Sequence, residues 1–281
     1  MIAWIPFVWS SDTLFGRKID RLAIFLRGKV LPPGKEGAFQ FDLGAPHSVI
    51  YGNAFNSDFL DRHTTDRTAT LNGQEVPVLD LSISVGDVVV KDPVLLRDFG
   101  EGEIDGSPII GTVGADLIDG RILIVDFPNQ RIAVVDSLPE GFVKETHFVE
   151  MSRTPGGHLL VRVKVGGKET YAMYDSGSSI FGLLTTREIW DTLTDGEVID
   201  SFRITAWGKV YTVYAGRSKV RITLAGETLR VDTVHYVNME GLGNFLKQAN
   251  AIGIMGNRSL WDRTVVVDTK GGRFGVCGGN R

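Results

Sequence analysis

The sequence predicts a mainly β, two-lobed chain with a few short helices, one unit having been duplicated within it. Three observations predict this. Short runs rich in Val, Ile, Leu and aromatics alternate with Gly, Pro and Asn punctuation, and helical periodicity is scarce. An aromatic-rich extended stretch runs into Asp-x-Gly twice, as Ala38-Phe39-Gln40-Phe41-Asp42-Leu43-Gly44-Ala45-Pro46 and as Tyr171-Ala172-Met173-Tyr174-Asp175-Ser176-Gly177-Ser178-Ser179. A downstream block also occurs twice. Gly111 through Val134 aligns without a gap on Gly253 through Val276, with Gly111/Gly253, Gly114/Gly256, Arg121/Arg263, Val125/Val267, Asp126/Asp268, Arg131/Arg273 and Val134/Val276 identical.

In chain order, the apolar start Met1–Trp9 has no basic n-region and no small-residue cleavage site, and Pro6 and two Trp interrupt it. It does not read as a signal peptide. About 20 residues precede the first clear strand. Strands are expected at Leu22–Val30, Ala38–Phe41, Val76–Val85, Val88–Leu96, Ile122–Asp126, Leu159–Val165, Ser218–Leu224 and Thr264–Asp268. Turn residues separate them: Pro32-Pro33-Gly34, Asn72-Gly73, Gly86-Asp87, Asn129-Gln130, Gly166-Gly167, Gly226-Glu227 and Gly271-Gly272. Helices are expected near Ala54–Asp61, at Thr186–Leu193 with Thr185 or Thr186 as cap, and at Asn244–Ala249. Single helical turns are expected at Gly114–Ile118 and Asn257–Trp261. Ser137-Leu138-Pro139-Glu140-Gly141 breaks the strand pattern, which divides the chain into lobes 1–138 and 139–281, each with one Asp motif.

Composition narrows the function classes. With 281 residues and 43% apolar content the chain can bury a sizeable core. A net charge of −4 without a Lys/Arg run argues against nucleic acid as partner. No apolar run approaches the roughly 18 residues that span a bilayer, so no membrane partner is expected. One cysteine, Cys277, permits no intrachain disulfide and suits a reducing, cytoplasmic setting. His47, His63, His147, His158 and His235 show no ligand spacing, so neither a metal nor another cofactor is expected. No glycine-rich nucleotide loop stands between a strand and a helix. Asp126 and Asp268, before tight turns, read as structural, as do Arg121 and Arg263. A monomer is expected.

Asp175-Ser176-Gly177-Ser178-Ser179, its echo at Asp42, and the segments Ile254-Met255-Gly256 and Ile109-Ile110-Gly111 or Thr112-Val113-Gly114 resemble the pepsin-like and retropepsin-like aspartic proteases. The resemblance runs from Leu22 to Val276. It implies an aspartic-protease-like fold of duplicated β-barrel lobes, with Asp42 and Asp175 as catalytic residues and a peptide or protein as substrate. Two carboxylates about 3 Å apart cannot both ionise and so share one proton. The ionised one can act as base on a water, and the protonated one can polarise the scissile carbonyl. Gly44 and Gly177 would let the loops approach closely, their N–H groups bonding the inner carboxylate oxygens. Ser178 is placed to bond an outer oxygen of Asp175, where the first copy has Ala45. Ser176 would supply a hydroxyl to the opposite loop.

Two departures favour a second reading. The position of Leu43 is Thr or Ser in the family, and Leu makes no cross-loop hydrogen bond. The first-half hairpin Thr68–Ser84 around Asn72-Gly73, where the family's cleft-covering flap often carries Tyr, has no aromatic residue. In the second half Trp207, Tyr211 and Tyr214 could cover the cleft, although cross-strand aromatic pairing is the simpler reading. The alternative to a peptidase is therefore an inactive relative that binds an extended peptide or polymer in the cleft between the lobes.

Overall fold

The computed structural model describes residues 2–71, 73–91, 93–99, 101–206 and 208–278. Strands make up most of it, and the four α-helices among these residues are six or seven residues long. No helix among them is long and apolar enough to cross a membrane.

The first half pairs its strands in the order Ile24–Leu31, Lys35–Phe41, Ser107–Val113, Val49–Ile50, Val94–Leu96, Gln74–Leu79, Thr64–Leu71. The second half runs Leu159–Val165, Lys168–Tyr174, Ala251–Met255, Leu183–Thr185, Thr233–Val237, Lys209–Arg217, Asp200–Ala206. Each step has the same direction in both halves: antiparallel, parallel, antiparallel, parallel, antiparallel, antiparallel.

A third sheet joins the halves. Its antiparallel strands lie in the order Ile5–Trp9, Arg131–Val135, Ile122–Asp126, Thr264–Asp268, Arg273–Cys277, Thr146–Arg153. All five residues of Ile122–Asp126 are buried, as the near-continuous apolar run of a strand covered on both faces requires. The turns after Asp126 and Asp268 are closed alike. Asp126 accepts from the Asn129 backbone N–H (3.3 Å) and from Arg131 Nε (2.8 Å). Asp268 accepts from the Gly271 N–H (2.7 Å) and from Arg273 Nε (2.8 Å). The main apolar cluster runs through both halves, from Phe39 and Phe41 to Tyr174, Trp190 and Phe274.

Several expected elements shift, for local reasons. The strands Val76–Val85 and Val88–Leu96 are each split, into Gln74–Leu79 with Ser82–Val85 and Val88–Val90 with Val94–Leu96. Of Ser218–Leu224 only Ile222–Leu224 is a strand. The first helix is Ser57–His63, later than expected, because Asn56 caps it by accepting from the Phe59 N–H at 2.8 Å. Thr186 caps Arg187–Leu193. The break at Ser137–Gly141 leads into a helix, Glu140–Glu145, preceded by Pro139. The first 20 residues hold three strands, Ile5–Trp9, Asp12–Leu14 and Arg17–Ile19, too short to show a period in the sequence. The expected turn residue Asn72 and the hairpin residue Trp207 lie outside the described residues.

Candidate active site

Asp42 and Asp175 each leave the end of a strand whose parallel neighbour comes from the downstream block. The Asp42 N–H donates to the Val113 carbonyl and the Asp175 N–H to the Met255 carbonyl, both at 3.0 Å. Val113 lies opposite Phe41, and Met255 opposite Tyr174. Thr112-Val113-Gly114 is therefore the counterpart of Ile254-Met255-Gly256. Each loop rests on the glycine that ends this segment. A Cβ at Gly114 would lie 2.5 Å from the Ala45 carbonyl, and one at Gly256 would overlap the Ser178 carbonyl. The two repeats seen in the sequence are in contact because one seats the other.

The loops meet tip to tip. The two carboxyls come close enough for the Asp175 charge to push the Asp42 pKa up. A Cβ at Gly44 would overlap the Asp175 carboxyl, and one at Gly177 would come within 2.5 Å of Asp42 Cγ. Each glycine is thus required by the opposite aspartate. Gly44 and Gly177 also donate their N–H groups to Oδ1 of their own aspartates, at 2.9 and 2.8 Å.

The environments of the two carboxyls differ. Asp175 accepts from the Gly177 N–H, from the Ser178 N–H at 3.2 Å and from the Ser178 hydroxyl at 2.8 Å. Residue 45 is Ala and offers Asp42 no hydroxyl. Burial, then the charge of Asp175 and the hydrogen bond that protonated Asp42 can give to Asp175, push the Asp42 carboxyl well above the usual carboxylate range; the Gly44 and Ala45 amides offset part of this. Asp42 lies deep among protein atoms and keeps some accessible surface. The raised Asp42 carboxyl is the one that holds a proton more readily.

Ser176, fully buried, accepts from the Leu43 N–H at 2.8 Å and donates to the Phe41 carbonyl at 3.1 Å. Leu43 is fully buried in the main apolar cluster and returns no such bond. A buried network behind the second loop holds it in place. Tyr174 Oη donates to Asn257 Oδ1 (2.9 Å), and Asn257 Nδ2 donates to the Ser176 carbonyl (2.9 Å) and to Ser179 Oγ (2.8 Å). The first loop is held by Asp116, which accepts from the Ser48 N–H and hydroxyl, both at 2.6 Å.

Sequence reasoning missed Asn257, Ser179, Ser48 and Asp116 as support for the loops. It also missed two neighbours of the aspartates. Tyr51, bonded to Thr112 Oγ1 at 2.7 Å, has its phenol pushed up to about 12, by burial first and also by the charge of Asp42. His158 extends the register in which Leu159 faces Tyr174, which places it beside Asp175. Burial lowers its pKa, and the Asp175 charge raises it. A His one residue before a strand gives no signal of this. Burial pushes the Asp116 carboxyl up, and the two Ser48 hydrogen bonds and the nearby His47 offset part of this. In the second hairpin Tyr214 stacks on Tyr236 directly opposite it, at 4.8 Å, the cross-strand pairing expected. No group of acidic, His or Cys residues among the described residues could hold a metal ion.

No protein-family model matches the sequence, and no curated protein matches it. A solved aspartic proteinase from Irpex lacteus resembles the structure across 100% of this chain and 98% of its own, with a TM-score of 0.57 and 11% identity. The likeness is one of fold, and the chain has an aspartic-proteinase-like architecture.

Proposed function

We propose that the chain is an aspartic-type peptidase, with Asp42 and Asp175 as its catalytic pair. Two carboxyls brought together under glycines that each abut the opposite aspartate carry this reading. Asp175, the better solvated by donors, takes a proton from a water as that water attacks the peptide carbonyl carbon. Asp42 gives its proton to the carbonyl oxygen. The tetrahedral intermediate then collapses: one of its hydroxyls returns a proton to Asp42 as the carbonyl re-forms, the C–N bond breaks, and the departing nitrogen takes the proton that Asp175 had accepted from the water. A single aspartate could not supply both the base and the acid at one pH.

A second reading rests on Leu43. An inactive relative binding an extended peptide would retain the glycines for packing while tolerating loss of one cross-loop hydroxyl. The repeated strand order and the matching Asp126–Arg131 and Asp268–Arg273 closures support an origin by internal duplication, with lobes 1–138 and 139–281. The buried free thiol of Cys277 suits a cytoplasmic monomer acting on peptides or proteins.

A broad peptide library incubated from acid to neutral pH tests the proposal. Cleavage blocked by a statine-type inhibitor, and abolished in both Asp42→Asn and Asp175→Asn, is expected. Cleavage at no pH, with peptide binding that survives both changes, would establish the second reading instead.

A further inference from the structure

A hollow of about 250 Å³ lies between the N-terminal hairpin of strands Asp12–Leu14 and Arg17–Ile19 and the second half of the chain. Neither aspartate of the pair lines it. Its floor is a row across three adjacent strands, where Asp200 faces Ala215 and Ala215 faces His235. The small side chain in the middle of that row leaves the space. Arg17 and Ile19 of the hairpin, with Ile180, Arg258 and Trp261, also line it.

The polar groups in this hollow are not internally balanced. Arg17 is paired with Asp200 at 2.5 Å, and Lys18 with Asp20 at 3.5 Å. No carboxylate among the described residues pairs with Arg258, whose guanidinium lies 6.0 Å from the centre of the Trp261 ring, so one positive charge has no counter-ion. His235 is 5% exposed, yet its ring makes no hydrogen bond, and Nδ1 is buried without a partner. Trp261 Nε1 is likewise buried and unpartnered. His235 Nδ1 and Trp261 Nε1 have no accessible surface, so a molecule in the hollow would meet His235 through its other ring nitrogen, Nε2, which also makes no hydrogen bond. His235 stands edge-on to Phe181 at 5.1 Å and to Phe202 at 6.1 Å. Burial, then the charge of Arg258, lowers its pKa to about 4, so at neutral pH it is an uncharged ring with one N–H to give.

We propose that this hollow binds a small organic monoanion: one carboxylate on a ring-sized apolar body, the carboxylate on Arg258 and hydrogen-bonded by His235. Ile19, Ile180, Ile199 and Phe202 are the apolar lining for the body. A dianion fits less well, because Asp20 and Asp200 would repel its second charge. The site goes beyond the peptidase reading and does not depend on it.

Calorimetric titration of the full chain with phenylacetate tests this, with 2-phenylacetamide as the uncharged counterpart. Saturable binding of phenylacetate is expected, with the amide at least about tenfold weaker. Arg258→Gln, at an exposed side chain, should weaken phenylacetate by a similar factor and leave the amide unchanged. Ala215→Leu should fill the hollow and abolish both; in that variant far-UV circular dichroism checks folding. In the unsubstituted chain the His235 imidazole nitrogen resonances should shift on addition of phenylacetate. Asp42→Asn should leave binding intact. Absence of saturation up to roughly 10 mM, equal binding of acid and amide, or undiminished binding by Arg258→Gln would overturn the site. Loss of binding in Asp42→Asn would assign the ligand to the cleft of the paired aspartates, and overturn it too.

Discussion

The Leu43 N–H donates across the two loops to Ser176 Oγ at 2.8 Å, and nothing from the Leu43 side chain answers it. The reciprocal grip of two hydroxyls is here a one-sided grip by Ser176, with apolar packing of Leu43 in place of the other half. Ser176→Ala would leave a buried N–H without its acceptor and should cost about 1–3 kcal/mol. Leu43→Thr restores a hydroxyl worth about 1 kcal/mol but removes a fully buried Leu. Large-to-small changes at such sites cost about 2–5 kcal/mol, so a net loss of stability is expected. Urea denaturation of the two variants measures both, and a Leu43→Thr protein more stable than the parent would show the packing to be the weaker contribution.

Gly44→Ala and Gly177→Ala should each force the loop tips apart, since the added methyl meets the opposite carboxyl. Misplacement by about 1 Å can cost roughly a hundredfold in rate. Peptidase assays should show at least that loss while circular dichroism shows the fold retained. Full activity in either variant would mean the loops need not touch.

Ser178 is the donor that distinguishes Asp175 from Asp42. Ser178→Ala removes the hydroxyl that holds one oxygen of Asp175, a charge-assisted bond of about 1.5–3 kcal/mol, and should lower peptidase activity by roughly tenfold or more while circular dichroism shows the fold retained. Unchanged activity would mean that the Ser178 hydroxyl does not hold Asp175 for the reaction.

Asp42 makes stability depend on pH. Its folded pKa is raised, so between the ordinary Asp value of 3.8 and the raised value the folded chain binds more protons than the unfolded one. The stabilisation is complete below 3.8 and is lost as pH rises through the folded value. Asp42→Asn removes this dependence. Its melting temperature should exceed the parent's at neutral pH, with the gap closing near pH 3 to 4. A gap that widens in acid would reverse the sign and refute the assignment of the proton.

The sequence alone determined the β-rich class, the repeat and the two aspartates. Those features are local or periodic: Asp-x-Gly at a strand end, glycines where backbones must meet, alternation of apolar runs with turns. Gly44, Gly177 and Ser178 were legible because their spacing from the aspartates sets what they touch. The tertiary structure alone decided what reaches the loops from distant segments. Asn257 is locked to Ser176 and Ser179 from 81 and 78 residues away, and Asp116 to Ser48 from 68. The hairpin of the first 20 residues packs Ile19 against the second half through Arg17 and Asp200, 183 residues apart. No periodicity encodes such pairs. They exist because the folded sheets bring buried polar groups together, where each must find a partner. The same rule singles out His235, which the fold buries and leaves without one.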